Sequence, residues 1–333
     1  MVMTAAAFTF LNLWGLVALL FFMGAQSAFF GPLKFSILPQ HLNEDELVAG
    51  NGLVSAGTYI AILTGTLCGG LLILRPEGRA LISAGVVCVA VAGFISSLFI
   101  PKAGPSVACM KIDWNPLRST MGIISYVRPN VTVFRSILGI SWFWFLGSVF
   151  LSQFPTFSKN ILGGNEEVST LFLVVFSVGV GLGSTFCNRL LKGKISARLV
   201  PFGCIGMTTA TLLLYFFSLT VQKTGHLAGV MEFIAEPGSW GIIFSFLMLA
   251  ASGGIFSVPM YALMQSRSSD EHRARVVACL NITDSFGMVL SAVFVSMLLM
   301  LDISVINIFL IMGVVNLMIT PVLSRLARDE YGK

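Results

Sequence analysis

Three ionisable side chains fall within long apolar stretches of the sequence. Lys34 lies near the end of the first stretch, Arg135 begins the fourth, and Asp284 lies well inside the eighth. A charged side chain at the centre of a membrane span costs about 2.5–3.5 kcal/mol on insertion scales. Such residues are therefore candidates for function, with Asp284 suited to bind a coupling ion, either a proton or sodium.

Each of these residues also has a purely structural interpretation. The long stem of Lys34 can snorkel to lipid headgroups about one turn away, and Arg135 can anchor its span at the membrane interface. Asp284 can form a local hydrogen bond with Asn281 or Thr283, or pair with a helix outside this chain. The sequence leaves these alternatives open.

The composition shows what kind of elements hold these residues. The 333 residues are 56% hydrophobic and 11% charged, with a mean hydropathy of +0.90. A soluble domain of this size needs far more polar surface. Apolar runs of about 20 residues recur, each long enough to cross a bilayer core of about 30 Å. The sequence therefore predicts an all-α, multi-pass membrane protein.

Nine membrane-spanning helices are predicted from these runs. Small residues recur along the second span, a pattern that lets two helix backbones approach in lipid, so the first two spans are predicted to pack closely together. These small residues are Gly52, Ala56, Gly57, Ala61, Gly65 and Gly69. The approximate spans are residues 12–38, 47–74, 79–100, 133–157, 168–190, 197–219, 239–264, 275–300 and 303–326.

The charges between the spans predict their orientation. Fourteen of the 20 Lys and Arg residues lie on one side, four on the other, and two within spans. By the positive-inside rule the richer side, which includes the C-terminus, is cytoplasmic. Because the basic residues mark topology, the net charge of +5 predicts no nucleic-acid partner.

A long loop, residues 101–132, contains four prolines and separates three spans from six. A transporter of two six-helix halves has its long linker in the middle. We therefore expect residues 1–100 to be the remainder of an N-terminal half-bundle and 101–132 a cytoplasmic linker. Residues 133–333 would form a six-helix half-bundle. On this interpretation three of twelve helices are missing before the first span, and residues 1–11 end the third of them.

Two prolines lie at comparable depths in the first and seventh spans, Pro32 and Pro259. A proline removes a helix hydrogen bond and bends the backbone, and paired breaks in two halves point to sites or gates. We expect these two to serve gating, with static kinks as the alternative.

Other motifs indicate packing rather than chemistry. No cysteine or histidine spacing suggests a metal site, and no histidine has an aspartate at H-x4-D spacing, so no catalytic residue or cofactor is predicted. Glycines 179, 181 and 183 are predicted to form a closely packed helix face rather than a phosphate loop. The aromatic residues 142–145 are expected to contact lipid, with the lining of a cavity as the alternative.

Two sequence runs resemble motifs of a known family. They are GPLKFSIL at residues 31–38 and VPMYALMQSRS at 258–268, the latter followed by HRARV at 272–276. They resemble the lysophospholipid transporters of the major facilitator superfamily, most closely the transporter half fused to 2-acyl-glycerophosphoethanolamine acyltransferase in some bacteria. The chain departs from that family in lacking its F-G-D-N type first helix and one asparagine of a pair, keeping Asn281. It also has Asp284 where a neutral amide is usual.

The resemblance implies a major facilitator-like bundle that moves lysophospholipids, chiefly lysophosphatidylethanolamine, across the bacterial inner membrane toward cytoplasmic reacylation. It also implies contact with membrane lipid, a cytoplasmic acyltransferase as partner, and pairing of Lys34 with the substrate phosphate. The predicted substrate-binding residues are Gly31, Pro32, Lys34, Ser36, Asn51, Arg135, Pro259, Tyr261, Gln265 and Asn281.

Three other functions stay open from the sequence. A carrier of a small polar solute or drug would have more polar residues facing inward in mid-span. A membrane-embedded enzyme, such as an acyltransferase, would need a catalytic base. An inactive remnant would follow if helices are missing.

Overall fold

The computed structural model describes residues 13–73, 75–101, 115–221, 226–269 and 271–329, which are largely helical. The expected helix end at residues 1–11 lies outside these ranges. The helices, numbered in chain order, are α1 Leu13–Ser36, α2 Leu38–His41, α3 Leu47–Ile73, α4 Gly78–Ser97, α5 Pro116–Val127, α6 Val131–Thr156, α7 Glu166–Leu191, α8 Val200–Ser218, α9 Val230–Ala235, α10 Pro237–Ser266, α11 Arg273–Met300 and α12 Val305–Asp329.

Each of the nine predicted spans coincides with a helix to within a few residues. Eight segments of the described chain are long and apolar enough to cross a membrane. The remaining helix, α1, has 24 residues, of which Leu13–Ser27 form its apolar part. Helices are expected here because a segment in lipid must satisfy its backbone hydrogen bonds internally. The prediction of an all-α membrane bundle is confirmed.

Side-chain caps set where two of the spans begin. Asn130 accepts a hydrogen bond from the backbone N–H of Val133 at the start of α6. Asn165 accepts from the backbone N–H of Glu167 at the start of α7. Such caps satisfy amide groups that the first helical turn leaves unpaired.

Six helices, α6, α7, α8, α10, α11 and α12, form a bundle in which α10 is the most deeply buried span. α10 packs against α6, α7 and α8. Its side chains Phe246, Phe256 and Met260 are fully buried. This central helix carries the second sequence motif, which places that motif inside protein rather than against lipid.

The remaining long helices lie along this bundle. α1 packs against α11, α3 packs against α7 and α10, and α4 lies against α3. Among the described residues α1 and α3 contact each other only sparsely, so the predicted close pairing of these two helices is wrong. Gly57, Gly65 and Gly69 face open space, and Gly52 instead approaches Ser184 of α7. Small residues permit close approach without specifying the neighbour.

The region predicted as a linker contains helix α5, which packs against the beginning of α11. The ring of Tyr126 stacks on that of His272, with centroids 4.2 Å apart. The Tyr126 hydroxyl also lies 3.0 Å from Oγ of Ser269. The second half of this region is therefore docked on the six-helix bundle.

The aromatic residues 142–145 face protein, so the expectation of lipid contact is wrong. Trp142 donates from Nε1 to Asn316 Oδ1 at 2.9 Å, and Trp144 donates from Nε1 to the Tyr261 hydroxyl at 3.1 Å. Phe143 is buried. A buried indole N–H group usually finds a hydrogen-bond partner. Here Trp142 bonds to α12 and Trp144 bonds to α10, which are two different neighbours of α6.

Of the three glycines of α7 predicted to form a closely packed helix face, Gly179 and Gly183 do so. A Cβ atom at Gly179 would lie 2.6 Å from Cβ of Ala250, and one at Gly183 would overlap the carbonyl oxygen of Ala251. Gly181 points elsewhere, with Cβ of Ala56 as its nearest neighbour at 3.9 Å. The approach of α7 to α10 therefore depends on glycine at 179 and 183.

This difference predicts opposite results for two neighbouring substitutions. Gly183→Ala should destabilise the protein by about 1–3 kcal/mol, because the methyl group meets backbone that cannot move aside. Gly181→Ala should be neutral or slightly stabilising, because alanine favours the helix over glycine. Thermal unfolding of both variants in detergent, followed by size-exclusion chromatography, measures the difference. Equal stability of the two would contradict the packing described here.

Candidate functional site

The two sequence motifs meet at a buried pair of side-chain amides. Asn51 of α3 donates from Nδ2 to Gln265 Oε1 of α10 at 2.6 Å. Gln265 donates from Nε2 back to Asn51 Oδ1 at 2.9 Å and to the backbone carbonyl of Phe35 at 3.1 Å. Both amides are completely buried. Gln265 therefore joins the ends of α1, α3 and α10.

A fourth helix reaches the same point. Arg273, in the first turn of α11, donates from Nε to the backbone carbonyl of Gln265 at 3.3 Å. We call Phe35, Asn51, Gln265 and Arg273 the amide junction. Its amides are hydrogen-bonded in both directions, so their burial carries little penalty here, whereas loss of one partner leaves the other unsatisfied.

An apolar cluster lies next to the amide junction and covers it. It consists of Leu47, Val48, Cys187, Leu191, Val258 and Ala262. The Cys187 thiol donates to the carbonyl of Ile255 at 3.8 Å. Pro259 is buried in α10 four residues later and has no N–H for that carbonyl. The predicted helix break at Pro259 is thus covered by α7, and its role in gating stays a prediction.

Lys34 lies beside the amide junction. Its Nζ is 3.4 Å from Thr58 Oγ1 of α3 and 5.0 Å from the centre of the Phe35 ring. The side chain is partly buried. Within the described residues no carboxylate pairs with it. Lys34 is therefore a cation whose neighbours, a hydroxyl and an aromatic face, leave its charge uncompensated.

A series of aromatic side chains extends from Lys34 into the six-helix bundle. The Phe35 and Tyr261 rings stack with centroids 4.6 Å apart, and the Tyr59 and Trp144 rings stack at 6.3 Å. The Trp144–Tyr261 hydrogen bond links these two pairs. We call Tyr59, Trp144 and Tyr261 the aromatic wall. It joins α3 to α6 and α10 of the six-helix bundle. We call the boundary between α1 and α3 on one side and the six-helix bundle on the other the seam, and both sides of the seam contribute to the aromatic wall.

Asp284 lies on α11, which packs against α6. It accepts a hydrogen bond from Ser141 Oγ of α6 at 2.5 Å, and its side chain is 9% exposed. The local hydrogen bond to Asn281 or Thr283 considered from the sequence is not the one formed, because Thr283 bonds to the carbonyl of Cys279. The Asp284 side chain is therefore hydrogen-bonded to α6 rather than to its own helix.

Of the other predicted site residues, the structure brings Gly31 and Asn281 together. Gly31 lies against Asn281, since a Cβ there would be 2.5 Å from the Asn281 Nδ2. Ser36 is buried and hydrogen-bonds locally, to the carbonyl of Leu33. Arg135 is half-buried in α6. Pro32 falls within α1, and its side chain lies outside the described residues. Substrate contact by these residues stays a prediction.

Two site residues were not singled out from the sequence. Phe35 lies within a motif and Trp144 within the aromatic residues 142–145, whereas Tyr59 and Ser141 are ordinary residues of their spans. Each becomes notable only through a partner on another helix. A polar side chain at mid-span was the available signal for Ser141, although isolated serines are common in membrane helices.

The contacts between α1, α3 and the six-helix bundle are concentrated at the Lys34 end. Farther along α3, Ile60 is 59% exposed, and Gly65 and Gly69 have no neighbour within 4 Å. At the start of α1, Trp14 is 81% exposed. The seam is therefore held together at the amide junction, whereas these positions farther along α1 and α3 do not contact the six-helix bundle.

These features define a multi-pass helical membrane protein with a polar, charged seam between a six-helix bundle and the helices beside it. The chain belongs to the Major Facilitator Superfamily, whose family model matches residues 1–235.

Several curated proteins that are similar in sequence to this chain share one name. The lysophospholipid transporter LplT of Escherichia fergusonii is 26% identical over 292 residues, covering 86% of this chain and 67% of the relative. The protein of the same name from Cronobacter sakazakii is 27% identical over 290 residues, with the same coverage. That from Photorhabdus laumondii is 28% identical over 251 residues, covering 73% and 56%. The chain thus spans about two thirds or less of the length of these relatives.

Proposed function

We propose that the protein carries lysophospholipids, chiefly lysophosphatidylethanolamine, across the bacterial inner membrane toward reacylation by a cytoplasmic acyltransferase. The observation that carries this proposal is Lys34, a partly buried cation without a carboxylate partner among the described residues. An uncompensated charge in low dielectric needs a counter-charge. A lipid phosphate supplies one, and the relatives named as lysophospholipid transporters are consistent with it.

The seam suggests how such a carrier works. With the amide junction formed, the Lys34 end is closed, and the exposed positions farther along α1 and α3 are consistent with an open opposite end. Carriers of two halves alternate by rocking one against the other around a site between them. Here α1, α3 and α4 would belong to the N-terminal half and the six-helix bundle would be the C-terminal half. Opening the Lys34 end would require the Asn51–Gln265 bonds to break.

The direction of transport depends on orientation. The basic loops predict that the Lys34 end and the C-terminus face the cytoplasm. On that arrangement the described state accepts a lysophospholipid from the outer side and releases it inward after the amide junction opens. For Asp284, binding of a coupling proton or sodium ion stays a prediction.

Binding to the purified protein tests the proposal. Radiolabelled lysophosphatidylethanolamine should bind saturably to the full chain in detergent and be displaced by excess unlabelled lysophospholipid. It should not be displaced by sugars or other small polar solutes, because these lack both an acyl chain and the phosphate proposed to pair with Lys34.

A non-saturable signal, equal to that of empty detergent micelles, would overturn the proposal. Displacement by a small polar solute would favour the rival carrier function instead. Heat-denatured protein in the same micelles is the control for partitioning of the labelled lipid into detergent.

A further inference from the structure

Helix α5 has one side buried in protein and an adjoining side that is apolar and exposed. Val127 is buried in the core of the six-helix bundle, and Ile123 packs against the same core. Met121 is 70% exposed and Ile124 is 43% exposed. These two lie three residues apart, so they share one side of the helix. Gly122 is also exposed and lies on another side, about 160° round the helix from Ile124.

The position of α5 brings this apolar side close to the membrane surface. α5 ends at Val127 and the span that contains α6 begins at Val131, so the connecting residues bridge at most about 14 Å. Met121 lies six residues before Val127, about 9 Å along the helix axis. Tyr126 stacks on His272, which directly precedes the span of α11. Because two spans begin beside α5, its exposed side lies near the boundary of the hydrocarbon core.

The charges on α5 are suited to an anionic lipid surface. Residues 116–128 contain two charged side chains, Arg118 and Arg128, which are both basic and exposed. Arg128 lies about 20° round the helix from Met121, so its long stem can follow the apolar side toward the headgroups. Basic residues next to a span are attracted to anionic lipids. A soluble protein would have to enter the headgroup layer to reach Met121, so these features favour lipid as the occupant.

We propose that α5 is an interfacial helix that binds anionic phospholipid in the leaflet at the amide-junction end. Met121 and Ile124 lie among the acyl chains, and Arg128 contacts lipid phosphates, an arrangement typical of an amphipathic helix in the membrane plane. The basic loops predict that this leaflet is the cytoplasmic one. Through the Tyr126–His272 stack the bound lipid would also hold the start of α11, where the amide junction begins. This inference does not depend on which substrate the protein carries.

Thiol labelling on two sides of α5 tests the inference. Met121→Cys and Gly122→Cys are made separately in the full chain, which is reconstituted into nanodiscs of phosphatidylcholine and phosphatidylglycerol. A charged maleimide should modify position 122 about tenfold faster than position 121, because lipid covers the apolar side. The protein itself covers neither position, since Met121 is largely exposed and a Cβ at Gly122 has no described atom within 4 Å. Mass spectrometry separates these sites from the native cysteines.

Substitutions that weaken the lipid contact should expose position 121. In the Met121→Cys protein, Ile124→Asp should raise the labelling rate about tenfold, because a carboxylate is unfavourable among acyl chains. Gly122→Asp adds the same charge on the other side and should leave the rate unchanged. Arg128→Gln should raise the rate about fivefold in nanodiscs that contain phosphatidylglycerol, and should have no effect in phosphatidylcholine alone.

A second measurement identifies the molecule that covers α5 without an added charge. Lipids with brominated acyl chains should quench a fluorophore attached in Met121→Cys much more than one attached in Gly122→Cys. This comparison decides the inference even if Ile124→Asp fails to fold.

Four outcomes would overturn the inference. Equal labelling of positions 121 and 122 would place α5 in water. Protection of position 121 without quenching by brominated chains would mean that protein covers it. Protection only in nanodiscs that hold two or more copies would assign this side to a contact between copies. An Arg128→Gln effect of equal size in both lipid mixtures would exclude the anionic phosphate contact.

Discussion

Replacement of Lys34 by alanine is expected to lower lysophospholipid affinity by about 10- to 100-fold, the range for loss of a hydrogen bond to an ionised group. Lys34→Arg should retain part of the affinity, since a phosphate accepts either cation although the geometry of the two differs. The measurement is binding of labelled lysophosphatidylethanolamine to purified variants, followed by uptake into proteoliposomes.

The control for this experiment is another lysine outside the seam. Lys159 lies in the exposed turn after α6, so Lys159→Ala should bind as the unsubstituted protein does. All variants need equal recovery as monodisperse protein, because loss of folding would imitate loss of binding. If folded Lys34→Ala binds normally, then Lys34 is an interfacial anchor whose stem snorkels to the headgroups.

Substitution at the amide junction should open the Lys34 end of the seam. In Asn51→Leu the Gln265 amide loses its reciprocal partner while buried, which costs about 1–3 kcal/mol. The closed arrangement bears this cost, so the open arrangement gains population about tenfold. Cys187 lies in the apolar cluster over the junction and reports the change through its rate of alkylation.

Mass spectrometry that resolves each cysteine supplies an internal control. Alkylation of Cys187 should accelerate about tenfold in Asn51→Leu, while Cys204, buried between α8 and α12, should keep its rate. The double substitution Asn51→Leu with Gln265→Met replaces both amides by apolar groups of similar size and should restore slow alkylation. If Cys187 reacts equally in all three proteins, the amide junction does not close this end.

How far the sequence predicts the site depends on the kind of interaction. Lys34 and Asp284 were identified from sequence because charge within an apolar span is rare and costly whatever the neighbours are. Gln265 was identified through a family motif and Asn51 through the wider resemblance, but their contact was not predicted, since 214 residues separate them. Trp144 was predicted to contact lipid. The sequence could not distinguish the two environments, because an aromatic side chain packs equally well against lipid and against protein.

The sequence alone predicted the helical class and the approximate bounds of the long helices. It also marked the glycine run of α7, in which Gly179 and Gly183 lie against another backbone. These follow from the length of chain that crosses a bilayer and from the requirement that each span satisfy its own hydrogen bonds. The tertiary structure decided which helices are neighbours. It set α1 on α11 and α3 on α7, turned Trp144 inward, and docked α5. Lipid is as apolar as a packed neighbour, so hydrophobic periodicity in a membrane span does not distinguish them.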